Sequence, residues 1–240
     1  MPDLYSTTPD GIVFKINASS WANARDATSG STSVGSSASS GFTQVSRAAG
    51  RSGTAYGVYR SFLYFDTSGI TSAVGSATIK IYGYSANDGS IIAVKSTAFG
   101  GDGSSALATT DFNNISGFTT GSSLAGNATV YGPQVLTTDW STSGYNDFTG
   151  TSDLKADMQN NDVVIICFMD YTNDYLNSAL TSDATLNIGG YYTEGAGTDK
   201  DPYIEYTLSG YGNNVNGVAS ANIGKVKGVA TASIEKIIGV

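Results

Sequence analysis

Histidine is absent from the 240 residues. Without an imidazole the chain cannot build a Ser-His-Asp or Cys-His nucleophile system, nor an imidazole-ligated zinc site. A single cysteine, Cys167, excludes a disulfide within one chain. Its place in the apolar run Val163 to Phe168 predicts a packed thiol rather than a reactive one. Charged residues make up only 13% of the chain, Leu-rich helical periodicity is nearly missing, and no run approaches the roughly 20 apolar residues that span a bilayer. The opening residues MPDLYSTTPDG lack the basic segment and apolar stretch of a secretory signal. The expectation is a protein made in the cytoplasm without a signal peptide, soluble, with no membrane partner.

Ser, Thr, Gly and Asn fill the space these absences leave, and the 15 Tyr and 9 Phe are the material for a core. That balance predicts an all-β protein with polar surfaces. The net charge of −8 is unevenly spread. From Tyr211 onward there are three Lys and one Glu, so residues 1–210 carry −10. An acidic body disfavours nucleic acid and anionic lipid.

Strands are expected at Gly11 to Ala18, Tyr56 to Phe65, Ala77 to Tyr84, Ile91 to Ala98, Thr129 to Leu136, Tyr145 to Phe148, Val163 to Tyr171, Thr185 to Tyr192 and Tyr203 to Leu208, most of them separated by turn residues. Trp21 to Asp26 follows the first, and the Ser/Gly-rich stretch from Thr28 to Gly41 reads as a surface loop. Ala77, Ile79 and Ile81 alternate with Thr78, Lys80 and Tyr82, and Ile204, Tyr206 and Leu208 alternate with Tyr203, Glu205 and Thr207, so each of these strands has one buried side. Phe62 to Phe65 and Val163 to Phe168 are apolar on both faces. The combination fits two packed sheets, a jelly-roll-like β-sandwich. One short helix is expected, capped by Ser152, with Leu154 and Met158 on one face and Asn160-Asn161-Asp162 ending it.

Catalytic chemistry has few groups to draw on in this chain. Seventeen Asp and three Glu are present, but most Asp stand beside Gly, Ser or Asn where turns form, and no acid and base pair is singled out. Asp199 with Asp201, and Asp170 to Asp174, are the calcium candidates, yet neither has a regular loop signature, so turn chemistry is the better reading. No cofactor and no metal is expected. Tyr82, Tyr84, Tyr171, Tyr175, Tyr191, Tyr192 or Trp140 could present rings to a glycan, although Tyr is also an ordinary strand residue.

The chain ends in a repeat. Val215 to Lys225 reads VNGVASANIGK, Val226 to Lys236 reads VKGVATASIEK, and Ile237 to Val240 begins a third copy; seven of eleven positions agree between the full copies. The domain division is therefore a sandwich over 1–210 and a repeat tail over 211–240. Within the tail, helical turns begun near Asn222 or Ser233 and stopped by Gly, with Gly-Val-Ala extended between them, suit the pattern. The apolar residues Val215, Val218, Ile223, Val226, Val229, Ile234, Ile237 and Val240 are too many to leave in water and are the anchoring candidates. At about 25 cal/mol per Å² buried, such a row contributes several kcal/mol to docking. Repeated copies suit a repeated partner better than the tail's own sandwich.

The stretch Tyr59 to Ile70 (YRSFLYFDTSGI) followed by Ala77 to Tyr82 (ATIKIY) resembles the hallmark of DNRLRE-type β-sandwich domains, which are related to carbohydrate-binding modules. The short helix before a buried strand (Ser152 to Phe168) and the closing Pro202 to Tyr206 extend the likeness over about residues 10–208. The resemblance concerns strand signatures, so it implies fold more than activity. In this motif Arg60 is expected to pair with Asp66 or another Asp, because a buried guanidinium needs hydrogen-bonded partners. The tail resembles the NGVA-containing C-terminal repeats of tailed-phage structural proteins. Together these resemblances imply a non-enzymatic virion component, a capsid decoration protein or head fibre, bound through its tail to other virion proteins and forming a homo-oligomer. The alternative is a carbohydrate-binding or receptor-binding module of the tail apparatus, with a host surface glycan as partner.

Overall fold

Runs in which β-branched and aromatic residues alternate with small polar ones form strands because the pleat sends successive side chains to opposite faces. The structure is a computed structural model; it describes residues 2–35, 43–192 and 199–209, with the backbone alone at 34–35, 225–226 and 229–230. In chain order the elements are β1 (Asp3–Tyr5), β2 (Thr7–Ala18), α1 (Trp21–Arg25), β3 (Thr32–Gly35), β4 (Thr43–Gly50), β5 (Gly53–Asp66), β6 (Val74–Asn87) and β7 (Ser90–Lys95). They continue with β8 (Val130–Leu136), β9 (Tyr145–Thr149), α2 (Ser152–Asn160), β10 (Val163–Asp170), β11 (Ala184–Gly190), β12 (Tyr203–Leu208), β13 (Lys225–Val226) and β14 (Val229–Ala230). No helix among the described residues is long and apolar enough to cross a membrane.

Two 14-residue strands organise the sheet. β5 pairs with β2 along one edge and with β4 and then β10 along the other. β6 pairs with β9 along one edge and with β12 and then β11 along the other. β11 also pairs with β4, so twelve strands form one antiparallel network that folds over itself. One leaf is β3-β2-β5-β10-β7-β8 and the other is β1-β12-β6-β9. The fold class read from the sequence, an all-β sandwich with a short helix, is what the described residues adopt, with the five-residue α1 as a second helix.

The core has two compartments. Between the leaves, Ile12, Leu63, Phe65, Ile91, Val164, Ile166 and Phe168 meet Ala77, Ile79, Ile81, Phe148 and Ile204. On the opposite face of the first leaf, Val13, Phe62, Ile92, Val94, Ile165, Cys167 and Met169 are covered by Trp21 and Ala24 of α1 and by loop residues including Phe99, Phe112, Ile115 and Leu124. This double burial explains why β5 and β10 carry apolar residues on both faces, whereas β6 alternates. Cys167 is free and fully buried, and burial pushes its thiol pKa up.

Helix α2 closes one end of the sandwich. Leu154 and Met158, four apart, are both buried. The cap is Thr151 rather than the expected Ser152: the Thr151 side chain accepts from Leu154 N at 3.3 Å, and Ser152 is already inside the helix. On the same helix Asp157 accepts from Lys95 Nζ at 2.8 Å, Tyr131 hydroxyl at 2.5 Å and Asn161 Nδ2 at 2.9 Å. Burial raises the Asp157 pKa, but the Lys95 and Tyr131 hydrogen bonds outweigh it and the net direction is down.

Several expectations need correction. β4, TQVSRAAG, was not among the expected strands; its partners β5 and β11 make it one. The Thr28 to Gly41 stretch read as a loop contains β3, which pairs with β2. Trp21 to Asp26 begins as a five-residue helix, with Ser20 accepting from Asn23 N at 3.1 Å. Leu208, expected to be buried, is 36% exposed at the end of β12.

Candidate functional site

Arg60 points from β5 into the outer compartment and is fully buried. Its Nε and Nη2 donate to the two carboxylate oxygens of Asp174, each at 2.7 Å. Nη1 donates to Phe112 O at 2.8 Å and to Asn113 Oδ1 at 2.5 Å, and Nη2 also donates to Arg25 O at 2.9 Å. Arg25, from α1, donates through Nε to Asp174 O at 2.8 Å and through Nη1 to Asp26 Oδ1 at 2.5 Å. The Arg60 guanidinium lies 4.1 Å from the Phe112 ring centroid and 5.0 Å from that of Phe118. A forked, charge-assisted pair of this kind ties a strand, a helix and two loops together. The paired carboxylate is Asp174 and not Asp66, which instead accepts from the Ser68 hydroxyl at 2.6 Å.

The other Asp residues flagged in the sequence take part in local hydrogen bonding. Asp170 caps the π-helical turn Tyr171–Tyr175, accepting from Asn173 N at 2.6 Å. Burial, followed by the charge of Asp174, raises its pKa to about 6. The backbone oxygens of Asp199 and Asp201 each accept from the Tyr145 hydroxyl at 3.2 Å. Among the described residues no group of three or more His, Cys, Asp or Glu side chains is placed to hold a metal ion. Asp157 lies beside an open groove of about 460 Å³ that Lys95, Asp102, Tyr131, Asn161 and Asp162 line, but its hydrogen bonds fasten α2 to β7 and β8.

The outer face of the second leaf is different. There the alternation that buries Ile79, Ile81, Phe148 and Ile204 turns Tyr82, Tyr145 and Tyr203 outward. Register does the rest: Tyr82 lies opposite Tyr145, and Tyr203 opposite Tyr5. The rings form a continuous chain of contacts, Tyr5 to Tyr203 at 5.3 Å, Tyr203 to Tyr145 at 5.0 Å and Tyr145 to Tyr82 at 5.2 Å between centroids. It runs on from Tyr82 to Tyr191 at 5.9 Å and from Tyr191 to Tyr84 at 5.1 Å. Four of the five contacts are edge-to-face, the geometry that the ring quadrupole favours. All six residues are half-buried. The Tyr82 hydroxyl donates to Ser143 O at 2.8 Å. Lys200 Nζ reaches over the row, 4.6 Å from the Tyr191 centroid and 5.6 Å from that of Tyr82. Beside it Lys80 donates to Asp147 at 2.8 Å and lies 3.8 Å from Glu205. Desolvation lowers the Lys80 pKa, and these two carboxylates more than offset it, so the ammonium is held charged.

Of the seven aromatics named as glycan candidates, the fold brings Tyr82, Tyr84 and Tyr191 together. Tyr192 and Trp140 are buried, at 2% and 6% exposure, and Tyr171 stacks on Tyr175 at 5.5 Å in the turn after β10. Tyr5, Tyr145 and Tyr203 are members the sequence reading missed. The outward alternation of Tyr203 with Glu205 was visible, but its juxtaposition with β9 and β1 depends on sheet register.

Of the tail anchoring candidates, Val226 and Val229 are partners in the antiparallel pair of β13 and β14, which forms a two-stranded sheet separate from the twelve-stranded one. Val229–Ala230 is extended as expected, and Lys225–Val226 is extended where a helical turn was expected. Val215, Val218, Ile223, Ile234, Ile237 and Val240 lie outside the described residues. No protein-family model matches the chain, and no curated protein matches it.

Proposed function

We propose that the chain is a non-enzymatic structural protein of a phage particle, a β-sandwich displayed on the particle surface and held to it by the C-terminal repeat. The observation that carries this reading is the repeat: an 11-residue unit, twice complete and once begun, with Val or Ile recurring at fixed positions. A two-stranded pair is marginal in water by itself and gains stability by packing on something larger. The charge division supports the same reading, since a tail of +2 beneath a body of −10 suits two different surroundings. So do the cap that Asp170 makes and the ion pairs of Asp174, which give these two carboxylates structural work.

In this proposal the partners are other virion proteins, and the protein assembles as a homo-oligomer of the capsid-decoration or head-fibre kind. The test compares particles assembled with the full chain and with a chain stopped at Gly210. Loss of the shortened form from purified particles is the expected result; equal retention of both forms refutes tail anchoring.

A further inference from the structure

We propose that the tyrosine row across β1, β12, β6 and β9, with Tyr84 and Tyr191 at its end, is a binding site for an extended neutral polysaccharide. The inference is independent of the tail. Six half-buried rings stand in contact, 5.0–5.9 Å between neighbouring centroids, and form one aromatic patch on the outer face of the leaf. A pyranose offers an apolar face of C–H groups and a rim of hydroxyls, and a tyrosine row flanked by hydrogen-bonding groups matches both.

The rings are held before any ligand arrives. Edge-to-face neighbours fix five of the six planes, and the Tyr82 and Tyr145 hydroxyls are tied to backbone oxygens. Side chains already ordered lose little entropy on binding. Lys200 supplies donors over Tyr191 and Tyr82. Asp147, Glu205 and Thr78 on the same outward face supply acceptors to sugar hydroxyls.

Charge selects the class. Lys80 is balanced by Asp147 and Glu205, and the body's −10 repels a polyanion. A protein partner fits less well. Its interface core would have to desolvate Lys80, Asp147 and Glu205, which sit among the tyrosines, and among the described residues the face carries no large aliphatic patch to offset that.

The experiment is affinity electrophoresis of the full chain through gels containing mixed-linkage β-glucan, xyloglucan, galactomannan or dextran, with alginate and hyaluronan as anionic probes. Retardation by at least one neutral polysaccharide is expected. The Tyr82→Ala/Tyr191→Ala pair should weaken it at least about tenfold, while Tyr82→Phe/Tyr191→Phe, which keeps both rings, and Tyr171→Ala, which removes a half-buried ring in the turn after β10, retain it. Lys200→Glu, which removes the donors without touching the strands, is read in the same way and decides the matter if the alanine pair does not fold. No retardation by any neutral polysaccharide, retardation by the anionic probes only, or undiminished binding by the alanine pair or Lys200→Glu overturns the proposal. So does a dimer lost in the alanine pair when no polysaccharide binds.

Discussion

Arg25 and Arg60 are the two largest side chains that the fold removes wholly from water, and both depend on Asp174. Taking the charge from that carboxylate leaves two guanidinium groups in an apolar compartment with one counter-ion between them, Asp26 beside Arg25. Asp174→Asn is expected to cost about 3–5 kcal/mol of stability, the range for a broken buried pair, read as a lower urea midpoint. Arg60→Lys should also be destabilising, because an ammonium cannot span both Asp174 oxygens. Asp170 makes a prediction of opposite character. Its pKa rises on folding from 3.8 to about 6, so the folded state binds its proton more tightly than the unfolded chain does. The stability this contributes is full below 3.8 and is lost as pH rises through about 6. Relative to Asp170→Asn, the wild-type protein should lose on the order of 2–3 kcal/mol between about pH 4 and about pH 7, measured as the difference between their urea curves at each pH.

At the scale of elements, β6 shows how tightly the tyrosine face is tied to what lies beneath it. Gly83, between Tyr82 and Tyr84, has its back to the loop before β9: an added Cβ would sit 2.1 Å from Ser141 O and 2.5 Å from Trp140 Nε1. Gly83→Ala is expected to cost about 1–3 kcal/mol, the range for overpacking, with a lower thermal midpoint as the readout. For α2, Thr151→Ala should cost about 1 kcal/mol and Ser152→Ala much less, since the cap is the threonine; paired urea titrations distinguish the two. β6, β10 and the buried side of α2 were legible in the sequence because their periodicity reports burial directly. β4 and β3 were not, because TQVSRAAG and TSVG are strands only by virtue of the neighbours that supply their hydrogen bonds. The tyrosine row was half legible for the same reason: Tyr82, Tyr84 and Tyr191 could be named, while Tyr5, Tyr145 and Tyr203 join it through pairings between strands far apart in the chain.

Among the described residues, one leaf of the sandwich is covered on both sides and the other on only one. The first leaf, with the Arg60 cluster, is the interior, and the second carries the half-buried tyrosines on its outer side. The pair of β13 and β14 shares no ladder with either leaf. If the tail serves a partner, as proposed, a chain ended at Gly210 should unfold at the same urea concentration as the full chain, and a lowered midpoint would show that the tail braces the body. The burial of Cys167 has a practical side. The native sulfur is the chain's one thiol and is sealed between a sheet and the layer over it, so a cysteine placed on the surface gives maleimide chemistry a unique target, and a dye, bead or probe tip can be attached at one chosen point without first altering the natural sequence elsewhere.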